Sequence, residues 1–101
     1  MGGSGAIPCR PGFVWREAFP GDFVCVTPET RNQVAFDNRQ AAARREPGGG
    51  PFGPDTCREG FVWREAHPGD HVCVTPDTRA KAAEDNSQAA NRRVGGGGII
   101  D

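Results

Sequence analysis

The chain has 101 residues, 36% of them hydrophobic, and a formal net charge of -1. That length is short for one ordinary domain and very short for two. The near-neutral charge lacks the basic footprint of a nucleic-acid binder, and no apolar run is long enough to span a bilayer, so neither a nucleic-acid partner nor a membrane is expected.

Residues 1–8 open with Met1-Gly2-Gly3-Ser4-Gly5. This start has no charged n-region and no apolar h-region, so it does not read as a signal peptide. Ala6 stands where a myristoylation pattern needs Ser or Thr. The segment is expected to be a disordered tail.

From Cys9 onward the sequence is written twice. Cys9 and Cys57 are 48 positions apart, as are Cys25 and Cys73 (57 - 9 = 48; 73 - 25 = 48). Of the 37 pairs formed by laying 9–45 on 57–93, ten differ, at positions 11, 19, 23, 29, 32, 33, 34, 36, 39 and 43, and 27 are identical (37 - 10 = 27). Such a period marks an internal duplication. The repeats are therefore bounded at 9–46 and 57–94. Residues 47–56, rich in Gly and Pro, read as a linker with little structure of its own. Residues 95–101 read as a second flexible tail.

Within a repeat, Gly12 to Ala18 has strand composition. Pro20-Gly21-Asp22 is a turn signal, and Phe23 to Val26 is the returning strand. Hairpins are expected over 12–26 and 60–74. A three-residue loop would place Phe19 opposite Phe23, Glu17 opposite Cys25 and Trp15 opposite Thr27. Phe13 and Trp15 then share one face.

Thr27-Pro28 opens a helix, with Thr as N-cap and Pro at the first helical position. Helices are expected over 28–45 and 76–93, with Glu29 in the first turn, Arg44 and Arg45 in the last, and Gly48 and Gly95 as stops. The varied positions 29, 32, 33, 36, 39 and 43 fall within an arc of about 120° on a helical wheel, which reads as the solvent face. The opposite face carries Arg31, Val34, Ala35, Asn38, Ala42 and Arg45. Phe13 and Trp15 are expected to lie across its alanines. Asn38 and Asn86 are expected to bond to hairpin or loop backbone, because a buried amide needs partners.

About 37 residues bury too little apolar area to fold unaided. One disulfide per repeat, Cys9 with Cys25 and Cys57 with Cys73, would supply a staple worth roughly 3 kcal/mol for a loop of about 16 residues. This implies an oxidising compartment, extracellular or periplasmic. The rival is zinc, but Cys-x15-Cys lacks the tight knuckle of structural zinc sites. The overall expectation is a small disulfide-stapled α+β chain of two tandem ββα modules.

Candidate binding residues are Phe19 and Phe23, which become His67 and His71 in the second repeat, and the tryptophans Trp15 and Trp63. Exposed phenylalanines can mark an interaction patch; packing against the other repeat is the competing reading. The two histidines are a weak metal candidate with Asp70 or Glu65, against simple surface titration. The tryptophans could stack on sugars or sit in the core. Arg16, Glu17, Asp22, Arg31, Asp37 and Asn38 recur as Arg64, Glu65, Asp70, Arg79, Asp85 and Asn86. They are expected to form a structural polar network tying hairpin to helix. No catalytic constellation is visible, so no enzyme and no cofactor are expected.

The string C-x-x-G-F-V-W-R-E-A-x-P-G-D-x-V-C-V-T-P-x-T-R, followed by x5-D-N-x-Q-A-A-x-R-R, covers both repeats. It resembles a short bacterial Cys-flanked repeat module of secreted and multidomain proteins. That module has no settled activity to carry over. His71 fits its commoner form and Phe23 departs from it. The arginine-rich composition, with Lys81 the single lysine, suits a bacterial source. These features imply a monomeric, non-enzymatic module that binds a protein or glycan ligand or spaces other domains; the alternative is a small structural metal-binding protein.

Overall fold

The computed structural model describes residues 8–95, so the expected tails lie almost wholly outside the described residues. Each repeat is a minimal antiparallel hairpin followed by a helix. The hairpins are β1 (Val14–Trp15) with β2 (Cys25–Val26), and β3 (Val62–Trp63) with β4 (Cys73–Val74). The helices are α1 (Pro28–Gln40) and α2 (Pro76–Ser87). Disulfides join Cys9 to Cys25 and Cys57 to Cys73. No helix among the described residues is long and apolar enough to cross a membrane.

The hairpin register differs from the expected one by two residues. Val14 pairs with Val26 and Trp15 with Cys25. The cause is Glu17, which sits at φ 56°, in the left-handed region. The regular ladder therefore ends at the Arg16 N–H, which donates to the Val24 carbonyl (2.7 Å), and the Glu17 N–H reaches across to the Asp22 carbonyl instead (3.2 Å). A β-turn follows, closed from the Asp22 N–H to the Phe19 carbonyl (3.0 Å), with Pro20 second and Gly21 third at φ 88°. That is the type II pattern, whose third residue must have positive φ. A two-residue shift preserves faces, so Phe13 and Trp15 still share one.

Thr27 caps α1, its Oγ1 accepting from the Thr30 N–H (3.2 Å), and Thr75 caps α2 in the same way (3.3 Å). The helices end sooner than expected. α1 stops at Gln40, and a 3-10 turn, Ala42–Arg44, follows. α2 stops at Ser87, and a four-residue helix, α3 (Ala89–Arg92), follows. Gly48 and Gly95 are not the stops. The chain must leave the helix by Arg45 and Arg93, which are extended, because both pair with the other repeat.

All six varied helix positions are exposed in both repeats. The buried stripe, however, runs through Val34 and Asp37, and through Ala82 and Asp85. It lies about 80° around the helix from the expected inward face. Ala35 and Ala42 are exposed. The expected alanine groove under Phe13 and Trp15 does not form: Trp15 packs on Phe23 (centroids 4.7 Å), and Phe13 lies under Arg92 of the other repeat.

The core is small and mixed. Its buried apolar residues are Ala18, Cys25, Val26 and Val34, with their counterparts Ala66, Cys73, Val74 and Ala82. Arg16, Asp22 and Asp37, with Arg64, Asp70 and Asp85, are buried beside them. Buried charge of this kind is tolerated only when paired. Asp22 accepts from Arg16 Nε (2.7 Å) and Nη2 (3.1 Å) and from the Ala18 N–H (2.9 Å); Asp70 repeats this with Arg64 and Ala66.

The two repeats close on each other reciprocally. Cys9 bridges to Arg93, and Arg45 bridges to Cys57. The Arg10 N–H donates to the Arg92 carbonyl and the Arg58 N–H to the Arg44 carbonyl, both at 2.8 Å. Each of these bonds has its counterpart 48 positions on, which is the signature of a two-fold interface.

The connector is not structureless. The Glu46 N–H donates to the Thr56 carbonyl (2.8 Å), and Gly50 and Gly53 exchange backbone bonds (3.1 and 2.9 Å). Thr56 is buried, and its Oγ1 donates to the Gly53 carbonyl and accepts from the Phe52 N–H. Gly49, at φ 83°, and Gly50 admit no side chain: a Cβ would meet the Gly53 carbonyl oxygen at 3.0 Å and the Thr56 Cγ2 at 2.9 Å, respectively.

Candidate binding surface

The residues expected at the hairpin tip separate. Phe19 meets not Phe23 but His67 of the other repeat, centroids 4.0 Å apart. Phe23 and His71 instead cover the tryptophans of their own hairpins: Phe23 packs on Trp15, and His71 stacks on Trp63 at 3.7 Å and 20°. The Phe-to-His exchange thus replaces one aromatic cover with another. His67 and His71 face different neighbours, and no group of three or more potential metal ligands occurs among the described residues. All four cysteines are in disulfides, so none remains as a thiolate ligand.

The structural polar network takes shape in part as expected. Asn38 Nδ2 donates to the Ala18 carbonyl (3.1 Å), and Asn86 Nδ2 to the Ala66 carbonyl (2.9 Å). Both asparagines are exposed rather than inward. Asn38 Oδ1 also accepts from Arg64 Nη1 of the other repeat (2.9 Å). Arg31 and Glu17 approach only to 3.9 Å at the surface, where such pairs contribute little.

Two positions missing from the expected network hold it together. Arg44 Nη1 donates to Asp37 Oδ1 and to the Cys73 carbonyl, each at 3.0 Å. Arg92 Nη1 donates to Asp85 Oδ1 (2.8 Å) and to the Cys25 carbonyl (3.3 Å). Each guanidinium also lies over a phenylalanine of the other repeat, Phe61 and Phe13, at 4.8 and 5.1 Å. The signal was present, since Asp37, Arg44 and their counterparts are identical between the copies. An inward face centred on Asn38 obscured it.

An aromatic recess is built by the connector. Phe52, 71% exposed, approaches Trp63 edge-on at 5.8 Å. Phe52, Thr56, Cys57, Phe61, Val62, Trp63 and Arg79 line a cavity of about 340 Å³. Two of its polar groups are already engaged: Trp63 Nε1 donates to the Asp55 carbonyl (2.8 Å), and Thr56 Oγ1 is bonded within the connector. Asp55 anchors the rim. Its Oδ2 meets His71 Nδ1 at 3.0 Å, and its Oδ1 meets Arg45 at 3.5 Å. The His71 hydrogen bond, aided by the Arg45 charge, outweighs desolvation and holds the Asp55 carboxyl below its ordinary pKa. Phe52 and Asp55 escaped sequence reading because the connector occurs once and offers no second copy for comparison.

A second cavity, about 270 Å³, lies between α1 and α2, with Arg16, Arg64, Val34 and Ala82 among its walls. No family model, curated protein or solved structure matches the chain.

Proposed function

We propose that this chain is a non-enzymatic binding module of an extracellular bacterial protein, and that it takes an apolar side chain of a protein ligand into the Phe52–Phe61–Trp63 recess. The observation that carries this reading is the exposed Phe52 over an aromatic-walled cavity of about 340 Å³. Exposed aromatic surface of this kind marks interaction sites. A glycan fits less well. Its hydroxyls would leave water for a recess whose Trp63 and Thr56 donors are already used and whose wall otherwise offers them only the Arg79 guanidinium, and unpaired polar groups are costly to bury. The two disulfides favour a secreted or periplasmic setting. A spacer role is the second reading, supported by the ordered connector.

A screen of peptide and glycan arrays with the intact protein tests this. Saturable peptide binding that is lost in Phe52→Ala supports the module. Glycan binding would redirect the ligand class, and the absence of any ligand would favour the spacer.

A further inference from the structure

The surface that joins the repeats is distinct from the recess, and its symmetry has a consequence for assembly. We propose that this surface recognises a second copy of the same chain, two chains exchanging repeats to form a two-fold dimer in which every inter-repeat contact is made between molecules. The backbone and arginine contacts that follow are reciprocal; the bond from Arg64 Nη1 to Asn38 Oδ1 (2.9 Å) is one-sided, since Arg16 Nη1 has no hydrogen-bond partner among the described residues. Arg44 reaches the Cys73 carbonyl and Arg92 the Cys25 carbonyl. Arg58 Nε donates to the Ala43 carbonyl (2.9 Å) and Arg10 Nε to the Asn91 carbonyl (3.1 Å). The Glu46 N–H meets the Thr56 carbonyl (2.8 Å), and the Val94 N–H meets the Pro8 carbonyl (2.9 Å). A self-complementary interface carries no record of which chain supplies its second half.

Nothing covalent stands in the way. Both disulfides lie within a repeat, 16 positions apart in each case. The connector alone ties one repeat to its cis partner. A short flexible connector gives an effective concentration in about the millimolar range, and the order within residues 46–56 raises it further. Intramolecular pairing therefore wins in dilute solution, and the balance is set by the connector rather than by the interface. Arg45 and Cys57 are antiparallel neighbours. A chain cannot reverse between such neighbours without turn residues, so joining them directly forbids the cis arrangement.

The test uses the full chain in two forms. In the first, residues 46–56 are deleted so that Arg45 precedes Cys57. Sedimentation is expected to show a dimer whose four cysteines resist thiol reagents, and Arg44→Ala with Arg92→Ala is expected to return it to monomer. A folded monomer would overturn the proposal. In the second, two differently tagged wild-type chains are unfolded, mixed at about millimolar concentration and refolded oxidatively. Dimers carrying both tags are expected, and are expected to vanish in the double arginine variant. Should the deletion variant fail to fold, this second arm decides, and monomers alone would overturn the proposal. Binding at the Phe52 recess is read separately, so either proposal can fail without the other.

Discussion

Arg44 of the first repeat donates from one nitrogen both to Asp37 of its own helix and to the carbonyl of Cys73 in the second repeat, each at 3.0 Å. Asp37 is buried, so this guanidinium neutralises an interior charge while holding the other repeat's disulfide strand. Arg92 and Asp85 do the same in the opposite direction. The folding of each repeat is thereby tied to the presence of the other.

Removing Arg44 should therefore be costly. Gln33 Nε2 would still donate to Asp37 (3.2 Å), but the carboxylate would be left buried without a charged partner. Arg44→Met is expected to destabilise the protein by about 3 kcal/mol in urea unfolding. Asp37→Asn made together with it should recover part of that loss, because the unpaired charge is gone. A loss under about 1 kcal/mol would mean that the pair behaves as a surface ion pair.

The disulfides should act on both repeats. Cys9→Ala with Cys25→Ala removes a staple worth roughly 3 kcal/mol. Arg10, beside Cys9, bonds to Arg92 of the second repeat. Amide exchange in α2 is therefore expected to accelerate along with that in α1. Acceleration confined to the first repeat would disprove the coupling.

Acid should weaken the fold through Asp70. Burial raises its carboxyl pKa, but hydrogen bonds from Arg64 and from the Ala66 and Val72 amides outweigh this and leave it below the ordinary 3.8. The folded state then binds fewer protons than the unfolded state, so stability rises with pH through this window. The Asp70 contribution is complete above the ordinary value and is lost as pH falls through the lowered one. Asp70→Asn is expected to reduce stability at neutral pH and to flatten the acid limb of a stability-against-pH curve. An unchanged acid limb would contradict the assignment.

The connector can be disturbed alone. Gly49 holds φ 83°, and its missing Cβ faces the Gly53 carbonyl oxygen. Gly49→Ala should unseat Phe52 from Trp63 and weaken ligand capture, and should destabilise the protein by more than about 1 kcal/mol, because Ala is strained at this positive φ. Trp63 fluorescence in a Trp15→Phe background reports the change. An unaltered spectrum would show that Phe52 does not depend on this turn.

Much of the fold was legible because the copies could be compared. The Thr27-Pro28 helix start, the exposed helix face, the two staples and the Asn38-to-hairpin bond all follow from local chemistry or from that comparison. What was not legible arises between segments. Glu17 in a left-handed conformation shifts the hairpin register, and no residue preference announces it. The burial of Asp37 depends on Arg44, seven residues later, folding back through a 3-10 turn demanded by the other repeat. The Phe52 recess depends on a Gly/Pro-rich stretch whose composition resembles a loose linker, yet Thr56 and the Gly50–Gly53 bonds close it.

The central claim is that the repeats are one cooperative unit, and each carries a single tryptophan. Urea unfolding of Trp63→Phe reports the first repeat through Trp15, and unfolding of Trp15→Phe reports the second through Trp63. With Arg92→Ala added to each, both reporters should move to a lower midpoint by a similar amount, although the substitution lies in the second repeat. A Trp15 midpoint that stays in place while the Trp63 midpoint falls would show two independent modules and contradict the account.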